Sequence, residues 1–172
     1  MDPKELIIIH ETNTLERALK ILIEGIRPST ETGEINWYSD KEICLTGIDF
    51  KEILACNTIW GHIRFVIKNS WIKKNVKEHF KDHATVALLN DDKIWWNFLT
   101  KYKIQNYEGS MNTSINQLIC DIPIPKNALE CVIIYSHYNV DLREKELIKK
   151  NLPKGMKLFT NENNNKQLIG VI

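Results

Sequence analysis

The chain has 172 residues, of which 43% are hydrophobic and 26% are charged. A chain of this length buries roughly 70% of its unfolded surface in one core, which excludes a short peptide, a coiled coil and a large multidomain enzyme. Its 23 basic and 22 acidic residues leave a formal net charge of +1, so binding to nucleic acid or to anionic lipid would need a local basic patch.

The N-terminal residues predict a strand, a helix and a turn, in that order. The apolar run Leu6–Ile9 predicts a buried strand. Asn13, followed three residues later by Glu16, is typical of a helix N-cap with its capping-box partner. The helix is predicted to end at Gly25, because Pro28 cannot continue it.

The rest of the chain predicts short strands and helices in mixed order. Short apolar runs between turn signals predict strands at Ile35–Tyr38, Ile43–Thr46, His62–Lys68, Leu129–Tyr135, Lys157–Thr160 and Gln167–Ile172. Helical spacing of apolar residues predicts helices at Asp49–Cys56, Trp71–Phe80, Lys93–Tyr102 and Asp141–Lys150. No internal repeat or linker interrupts this pattern. We therefore predict one α+β domain over residues 1–172.

Cysteine usage and hydropathy bear on the compartment. The four cysteines, Cys44, Cys56, Cys120 and Cys131, occur singly, without a C-x-x-C pair or the spacing of a zinc site. Such residues are typical of reduced thiols in a cytoplasmic protein. The N-terminus has no signal-peptide core, and no segment approaches the roughly 20 apolar residues that span a bilayer. We expect no membrane partner.

Several standard catalytic motifs are missing from the sequence. It contains no G-x-G-x-x-G, no P-loop and no G-x-S-x-G, so dinucleotide folds, phosphate-loop ATPases and serine hydrolases are not indicated. His79 and His83 are four residues apart, a spacing that puts both on one helical face, but no third ligand accompanies them. We predict an exposed polar face there and no metal site.

His10 is more informative because of its position at the end of the first predicted strand. Strand ends followed by a helix are places where ligands gather in many α/β and α+β folds. A histidine there can also do no more than hydrogen-bond to the backbone. Both interpretations stay open from the residues alone.

Aromatic and basic residues supply the remaining candidates. Trp95 and Trp96 belong to a cluster at helical spacing, which is typical of a core, although bases or nicotinamide also stack on such rings. Trp37 and Tyr38 precede polar residues and are better placed to line a cleft. Basic residues recur at helical spacing, which suits either a solvated face or a surface that follows phosphates: Lys73, Lys74, Lys77 and Lys81.

Three stretches together resemble the ADP-ribosyltransferase-like superfamily. Ile7–Thr12, a helix and the turn Glu24–Pro28 are similar to its first motif, a strand-end His with a nearby Thr, then a helix and an "E-G-[ILV]-x-P" turn. Ile43–Thr46 is similar to its second strand, which often carries a Ser or Thr beside the nicotinamide pocket. Gln117–Ser136 resembles the closing motif of DarT-type DNA ADP-ribosyltransferase toxins, where a catalytic Glu starts the strand and a Pro follows eight residues on.

This resemblance implies a split β-sheet core with flanking helices, and NAD held in a cleft between two small sheets. By that analogy His10 fixes the nicotinamide ribose, and Thr12 and Thr46 contact the ribose or the amide. Trp37 or Tyr38 packs near the nicotinamide ring. A carboxylate stabilises the positive charge that develops on the ribose as nicotinamide leaves. NAD is then a co-substrate, and no metal is implied.

The sequence departs from this pattern at the catalytic position. Eight residues before Pro125 stands Gln117, which can hold a hydroxyl but supplies no negative charge and cannot act as a base. Three interpretations stay open: a silenced variant of a toxic enzyme, a natural binder or pseudoenzyme, or catalysis by another carboxylate. Glu108 is the first substitute, because that loop usually faces the acceptor, whereas Asp121 lies four residues along an extended run.

The resemblance predicts an NAD-dependent mono-ADP-ribosyltransferase, a toxin or defence effector that modifies nucleic acid and has an antitoxin protein as a further partner. Lys73, Lys74 and Lys77 would contact the nucleic acid. The alternatives are a non-enzymatic interaction protein that keeps the NAD cleft and a protein-targeting ADP-ribosyltransferase. An RNA 2′-phosphotransferase shares the opening His motif, but its chemistry relies on several arginines and this chain has few.

Overall fold

The computed structural model describes residues 6–28, 42–49, 61–81, 116–135, 142–161 and 169–171. Within these ranges, three helices accompany one mixed sheet of eight strands, in the order β4-β5-β2-β1-β3-β6-β7-β8. The strands are β1 (Leu6–Thr12), β2 (Ile43–Asp49), β3 (Ile63–Ile67), β4 (Phe80–Lys81), β5 (Asn116–Cys120), β6 (Leu129–Tyr135), β7 (Lys157–Asn161) and β8 (Ile169–Val171). The helices are α1 (Leu15–Glu24), α2 (Asn69–His79) and α3 (Leu142–Asn151). The α+β class is confirmed.

The elements predicted in these ranges are confirmed with small shifts at their ends. The strand predicted at Leu129–Tyr135 is observed with the same bounds. β1 is longer than its apolar run, because Thr12 and the residues before it continue the ladder with β3. The predicted elements at Ile35–Tyr38 and Lys93–Tyr102, and nearly all of the helix predicted at Asp49–Cys56, lie outside the described residues.

Strand β1 lies in the middle of the sheet and is buried on both faces. Ile7, Ile8 and Ile9 are each no more than 1% exposed. One face, here called the helical face, packs against all three helices through a core that includes Ile8 and Phe65 of the sheet, with Leu22 of α1, Ile72 of α2 and Ile148 of α3. A strand buried on both sides needs an unbroken apolar run, which explains why its signal in the sequence is clear.

Helix α1 forms because its apolar residues fall on one side and because both ends are capped. Ala18, Ile21 and Leu22 are buried. At the C-terminus Gly25 has a φ of 87° and donates its N–H to the Ile21 carbonyl. A Cβ at position 25 would lie 2.3 Å from the Ile124 carbonyl oxygen, so only glycine fits where Ile26 forms a β-bridge with Ile124.

The pairing of β1 with β2 stops before either strand ends. Their ladder runs from Leu6–Asp49 to Ile9–Thr46. Beyond that point residues 10–12 pair with β3 alone, and residues 43–45 pair with β5 alone. We call this place, between residues 10–12 of β1 and residues 43–45 of β2, the split. It positions the residues that the sequence analysis singled out.

Candidate functional site at the split

His10 lies on the β1 side of the split and bridges it. Its Nδ1 is 3.1 Å from the carbonyl oxygen of Cys44 on β2. A carbonyl oxygen can only accept, so Nδ1 carries the hydrogen and Nε2 keeps a lone pair that can accept a hydrogen bond. The sequence left open whether His10 binds a ligand or the backbone. In the structure Nδ1 donates to a backbone carbonyl, and Nε2 can still accept a hydrogen bond from a ligand.

Burial makes the neutral form of His10 the favoured one. Burial lowers the pKa of the imidazole, the hydrogen bond to Cys44 raises it, and the nearby Arg17 cation lowers it, with a net shift downward. His10 is therefore an uncharged acceptor at neutral pH. A neutral imidazole suits a hydroxyl group better than it suits a phosphate.

The start of α1 borders the same place. Thr14, not the predicted Asn13, is the N-cap, and its hydroxyl accepts the N–H of Arg17 at 3.3 Å. The helix starts one residue later than predicted because β1 extends to Thr12, whose hydroxyl is 3.5 Å from the N–H of Thr14. The first turn of α1 and the Arg17 side chain therefore bring positive charge close to His10.

Thr12 is fixed by a close backbone contact. Its side chain is buried, on the helical face together with His10, since alternate residues of a strand share a face. A Cβ at position 61 would lie 2.2 Å from the carbonyl oxygen of Thr12. Gly61, just before β3, therefore allows the chain to pass beside the end of β1.

Thr46 and Gln117 lie in the last row before the split. Thr46 pairs with Ile9 on one side and with Gln117 of β5 on the other. Thr46 is 9% exposed, and as the partner of Ile9 it lies on the face opposite to His10. The predicted cofactor residues His10 and Thr46 are thus adjacent along the split but on opposite faces.

A buried ion pair occupies the other face at the end of β1. Nε of Arg64 donates to Oε1 of Glu11 at 2.6 Å, and Nη1 of Arg64 donates to the hydroxyl of Tyr135 at 2.9 Å. The Arg64 guanidinium also lies 4.7 Å from the centroid of the Tyr135 ring. The side chains of Glu11 and Arg64 are 3% and 2% exposed. These three residues, here called the arginine cluster, tie β1, β3 and β6 together beside the split.

The contacts within the arginine cluster stabilise the charged form of Arg64. Burial lowers the pKa of the Arg64 guanidinium, but Tyr135 and Glu11 outweigh it, and the pKa is raised. The sequence analysis missed this cluster. A signal was present, because Glu11 and Arg64 are charged residues inside or beside apolar strand runs, where a charge needs an opposite partner.

Asp121, a substitute considered for the catalytic carboxylate, has a partner of its own. Its Oδ1 is 3.0 Å from Nδ1 of His79 at the end of α2, and its N–H donates to the His79 carbonyl. Both side chains are about one-third exposed. Asp121 directly follows β5 and joins it to α2, four residues beyond the row that contains Thr46 and Gln117.

Other candidates lie away from the split or outside the described ranges. Lys73, Lys74 and Lys77 are exposed on α2, as predicted for a basic helical face. The described part of the chain contains no group of three potential metal ligands. Candidates for which nothing is described are Trp37, Tyr38, His83, Trp95, Trp96 and Glu108, and for Lys81 and Gln117 only the backbone is described.

The cysteines are free thiols wherever they are described. Burial raises the pKa of the Cys120 thiol to about 11, and burial likewise holds the pKa of the Cys131 thiol well above its usual range. Neither is a nucleophile at neutral pH. No helix in the described ranges has the length and apolar character needed to cross a membrane.

The chain matches no protein-family model, no curated protein and no solved structure. The described residues form an α+β fold with a neutral histidine at a split in the sheet. His10 lies inside β1 and not at its end as predicted, because the strand continues to Thr12.

Proposed function

We propose that this chain is an NAD-dependent mono-ADP-ribosyltransferase that uses the split between β1 and β2 as its NAD site. The observation that carries the proposal is the state of His10, which donates Nδ1–H to Cys44 and leaves Nε2 as an acceptor. No described residue donates to that nitrogen. A ribose hydroxyl is a donor of the kind that a neutral imidazole accepts.

Charge near His10 supports a ligand that also carries phosphate. Arg17 lies close enough to His10 to affect its pKa, and the first turn of α1 adds the partial positive charge of a helix N-terminus. A pyrophosphate beside Arg17 and a ribose on His10 would satisfy both groups. Thr12 is placed to add its hydroxyl on the same face.

The other side of the split supplies the residues proposed for the reacting sugar. Thr46 contacts the ribose or the amide, and the Gln117 amide holds the ribose 2′-hydroxyl. NAD supplies a glycosidic bond that breaks with positive charge developing on the ribose. Gln117 orients the sugar without supplying the negative charge that would stabilise this state. We therefore expect slow turnover unless Glu108 contributes, and we assign ring contacts to Trp37 or Tyr38.

Nucleic acid is the proposed acceptor, and a toxin or defence effector in the cytoplasm is the proposed setting. The support is the resemblance of Gln117–Ser136 to the closing motif of the DNA-modifying toxins, together with the exposed Lys73, Lys74 and Lys77. The free thiols at Cys44, Cys120 and Cys131 agree with a reducing compartment. An antitoxin partner is part of the same proposal.

One observation favours a second function. An uncharged residue at the position of the catalytic carboxylate suits a protein that binds NAD and no longer transfers ADP-ribose. In that case the split is a binding site, and partner proteins respond to its occupancy.

Labelled NAD incubated with DNA, RNA and lysate protein tests the proposal. We expect slow label transfer or nicotinamide release by the unaltered chain and a rate at least about tenfold higher for Gln117→Glu, since a charged group beside the reacting centre is restored. Glu108→Gln identifies whether that carboxylate does the work. NAD binding without turnover in any of these proteins favours the second function, and absence of both binding and turnover contradicts the proposal.

Calorimetry with His10→Asn tests the site itself. The asparagine amide can still donate to Cys44, but it lacks an acceptor at the position of Nε2. NAD affinity should fall about tenfold, the effect of roughly one lost hydrogen bond. Asn13→Ala, an exposed neighbour, serves as the control. Unchanged affinity in His10→Asn would remove His10 from the site.

A further inference from the structure

Helix α3 and the turn after it concentrate positive charge that the whole chain lacks. Residues 142–157 contain six basic and two acidic residues, a net charge of +4, in a chain whose total is +1. The basic residues are Arg143, Lys145, Lys149, Lys150, Lys154 and Lys157. The rest of the chain is therefore net negative, and this segment is a local basic patch of the kind that the total charge does not reveal.

The way α3 packs on the core exposes several of these basic side chains to solvent. Ile148 is fully buried in the core and fixes the orientation of α3. The side chains of Lys149, Lys150 and Lys154 are exposed and form no ion pair or hydrogen bond with any residue in the described ranges. Lysines without a carboxylate partner keep their full charge for a ligand, whereas a lysine in an ion pair is largely neutralised.

A groove runs along the same helix. A cavity of about 530 Å³ is lined, among the described residues, by Arg143, Glu146, Leu147, Lys149 and Lys150. Four of these positions follow the i, i+3, i+4, i+7 spacing of one helical face. The groove therefore offers a concave wall with three cations. We call it, together with Lys154, the α3 surface.

The chemistry of the α3 surface selects among anionic partners. A helix that lies on a membrane needs a broad exposed apolar face, and on α3 only Leu142, at 76%, is a large exposed hydrophobic residue. A nucleic-acid strand needs cations in succession and no apolar face, because its regularly spaced phosphates release counterions when they meet Lys and Arg. Charge complementarity therefore favours nucleic acid.

We propose that the α3 surface binds the phosphate backbone of nucleic acid, at a place separate from the split. α3 packs beside α1, the helix whose first turn lies next to His10. A strand held on α3 is thereby kept near the proposed NAD site. The inference rests on the proposed function for the identity of the strand as acceptor, but the binding itself needs no NAD.

The α3 surface competes with α2 for this role. α2 carries Lys73, Lys74 and Lys77 with Glu78, a net charge of +2, which α3 alone matches. The α3 segment is more positive because Lys154 and Lys157 follow the helix. The two helices can be compared directly, because each offers two lysines that are exposed and without an ion pair in the described ranges: Lys149 and Lys150 on α3, and Lys74 and Lys77 on α2.

The experiment measures fluorescence anisotropy of labelled single-stranded DNA and RNA, without NAD, over a salt series. Lys149→Gln/Lys150→Gln should weaken binding about tenfold at low salt and reduce the slope of log Kd against log salt by about 2. Lys74→Gln/Lys77→Gln should have the smaller effect. Lys20→Gln, at a lysine paired with Glu16 at 3.6 Å, should have no effect. Unchanged urea unfolding midpoints show that all variants fold.

Three other outcomes count against the proposal. An equal or larger effect of the α2 pair assigns the strand to α2, and no binding by the unaltered chain removes the surface altogether. Binding to phosphatidylserine vesicles with the same dependence on Lys149 and Lys150 assigns the surface to lipid. If nucleic acid binds as expected but NAD is neither bound nor consumed, the proposed function fails while the α3 surface stands.

Discussion

His10 and Glu11 are adjacent in the chain, but they belong to two different polar clusters on opposite faces of the sheet. Glu11 faces one side of the sheet, where its carboxylate accepts a hydrogen bond from Arg64 at 2.6 Å and Arg64 in turn donates to the Tyr135 hydroxyl at 2.9 Å, in a nearly solvent-free setting. His10 faces the other side, where one ring nitrogen is satisfied by Cys44 and the other remains an acceptor. The first cluster is complete within the protein and holds the strands. The second is incomplete, because no described residue donates to Nε2 of His10.

The two clusters are possible side by side because the side chains of a strand alternate between the two faces of the sheet. Successive residues point to opposite faces, so a structural ion pair can support a binding residue from directly behind it. The arginine cluster joins β1 to β3 and β6 at the place where β1 leaves β2. Rigid support behind a binding group limits the ordering that a ligand must otherwise impose.

The largest expected effect on stability concerns the arginine cluster. Arg64→Met leaves the Glu11 carboxylate buried without a counter-charge, which should lower the free energy of unfolding by ~3–5 kcal/mol. Urea unfolding followed by tryptophan fluorescence measures it. In the double variant Glu11→Leu/Arg64→Met both charges are gone, and most of the stability should return. A single variant that costs under ~1 kcal/mol would mean that the pair behaves like an exposed one.

The incomplete cluster should appear in the pH dependence of stability. The folded pKa of His10 is lowered, so below an unfolded value of about 6.5 the unfolded chain binds the additional proton and the folded state loses stability as the pH falls. The loss is at most about 1.4 kcal/mol per pH unit. His10→Asn, which does not titrate, should show a smaller loss between pH 8 and pH 5. Parallel curves for the two proteins would show that His10 is not held neutral by the fold.

The smallest effect concerns the beginning of α1 beside His10. Thr14→Ala removes the hydroxyl that accepts the Arg17 N–H and should cost ~1 kcal/mol. Asn13→Ala should change stability by less than ~0.5 kcal/mol, because Asn13 is exposed and does not cap the helix. Thermal or urea unfolding of both variants decides between them. A larger cost at position 13 would restore the cap that the sequence predicted.

Local patterns predicted much of the sheet, and they failed where distant residues decide the structure. The runs at Ile7–Ile9 and Leu129–Tyr135 are buried strands because they are almost wholly apolar. The first contains no polar residue, and the second contains one charged residue, Glu130. The N-cap was missed by one residue, since β3 extends the strand before it and moves the start of the helix. Local propensity cannot predict this shift, because the pairing of β1 with β3 joins residues far apart in the sequence.

The candidate site was predicted in part. The motif indicated His10, Thr12 and Thr46, and the structure places them along one split, although on two faces. The split itself depends on which strands pair over long separations in sequence, and no window of residues records this. The alternating pattern of residues 62–68 does not distinguish Arg64, because a charged residue is ordinary at a solvent-facing strand position. Its buried position shows that it needed a partner.

The arginine cluster also has a consequence for the order in which the protein can form. Arg64 is 53 residues from Glu11 and 71 residues from Tyr135 in the chain, so the cluster joins parts of the protein that are synthesised at different times. A nascent chain that has not yet reached Tyr135 has the first strand and its histidine but lacks the third member that fixes them. Contacts of such long separation form late and slowly. If the split binds NAD as proposed, a finished site therefore exists only after β6 has left the ribosome.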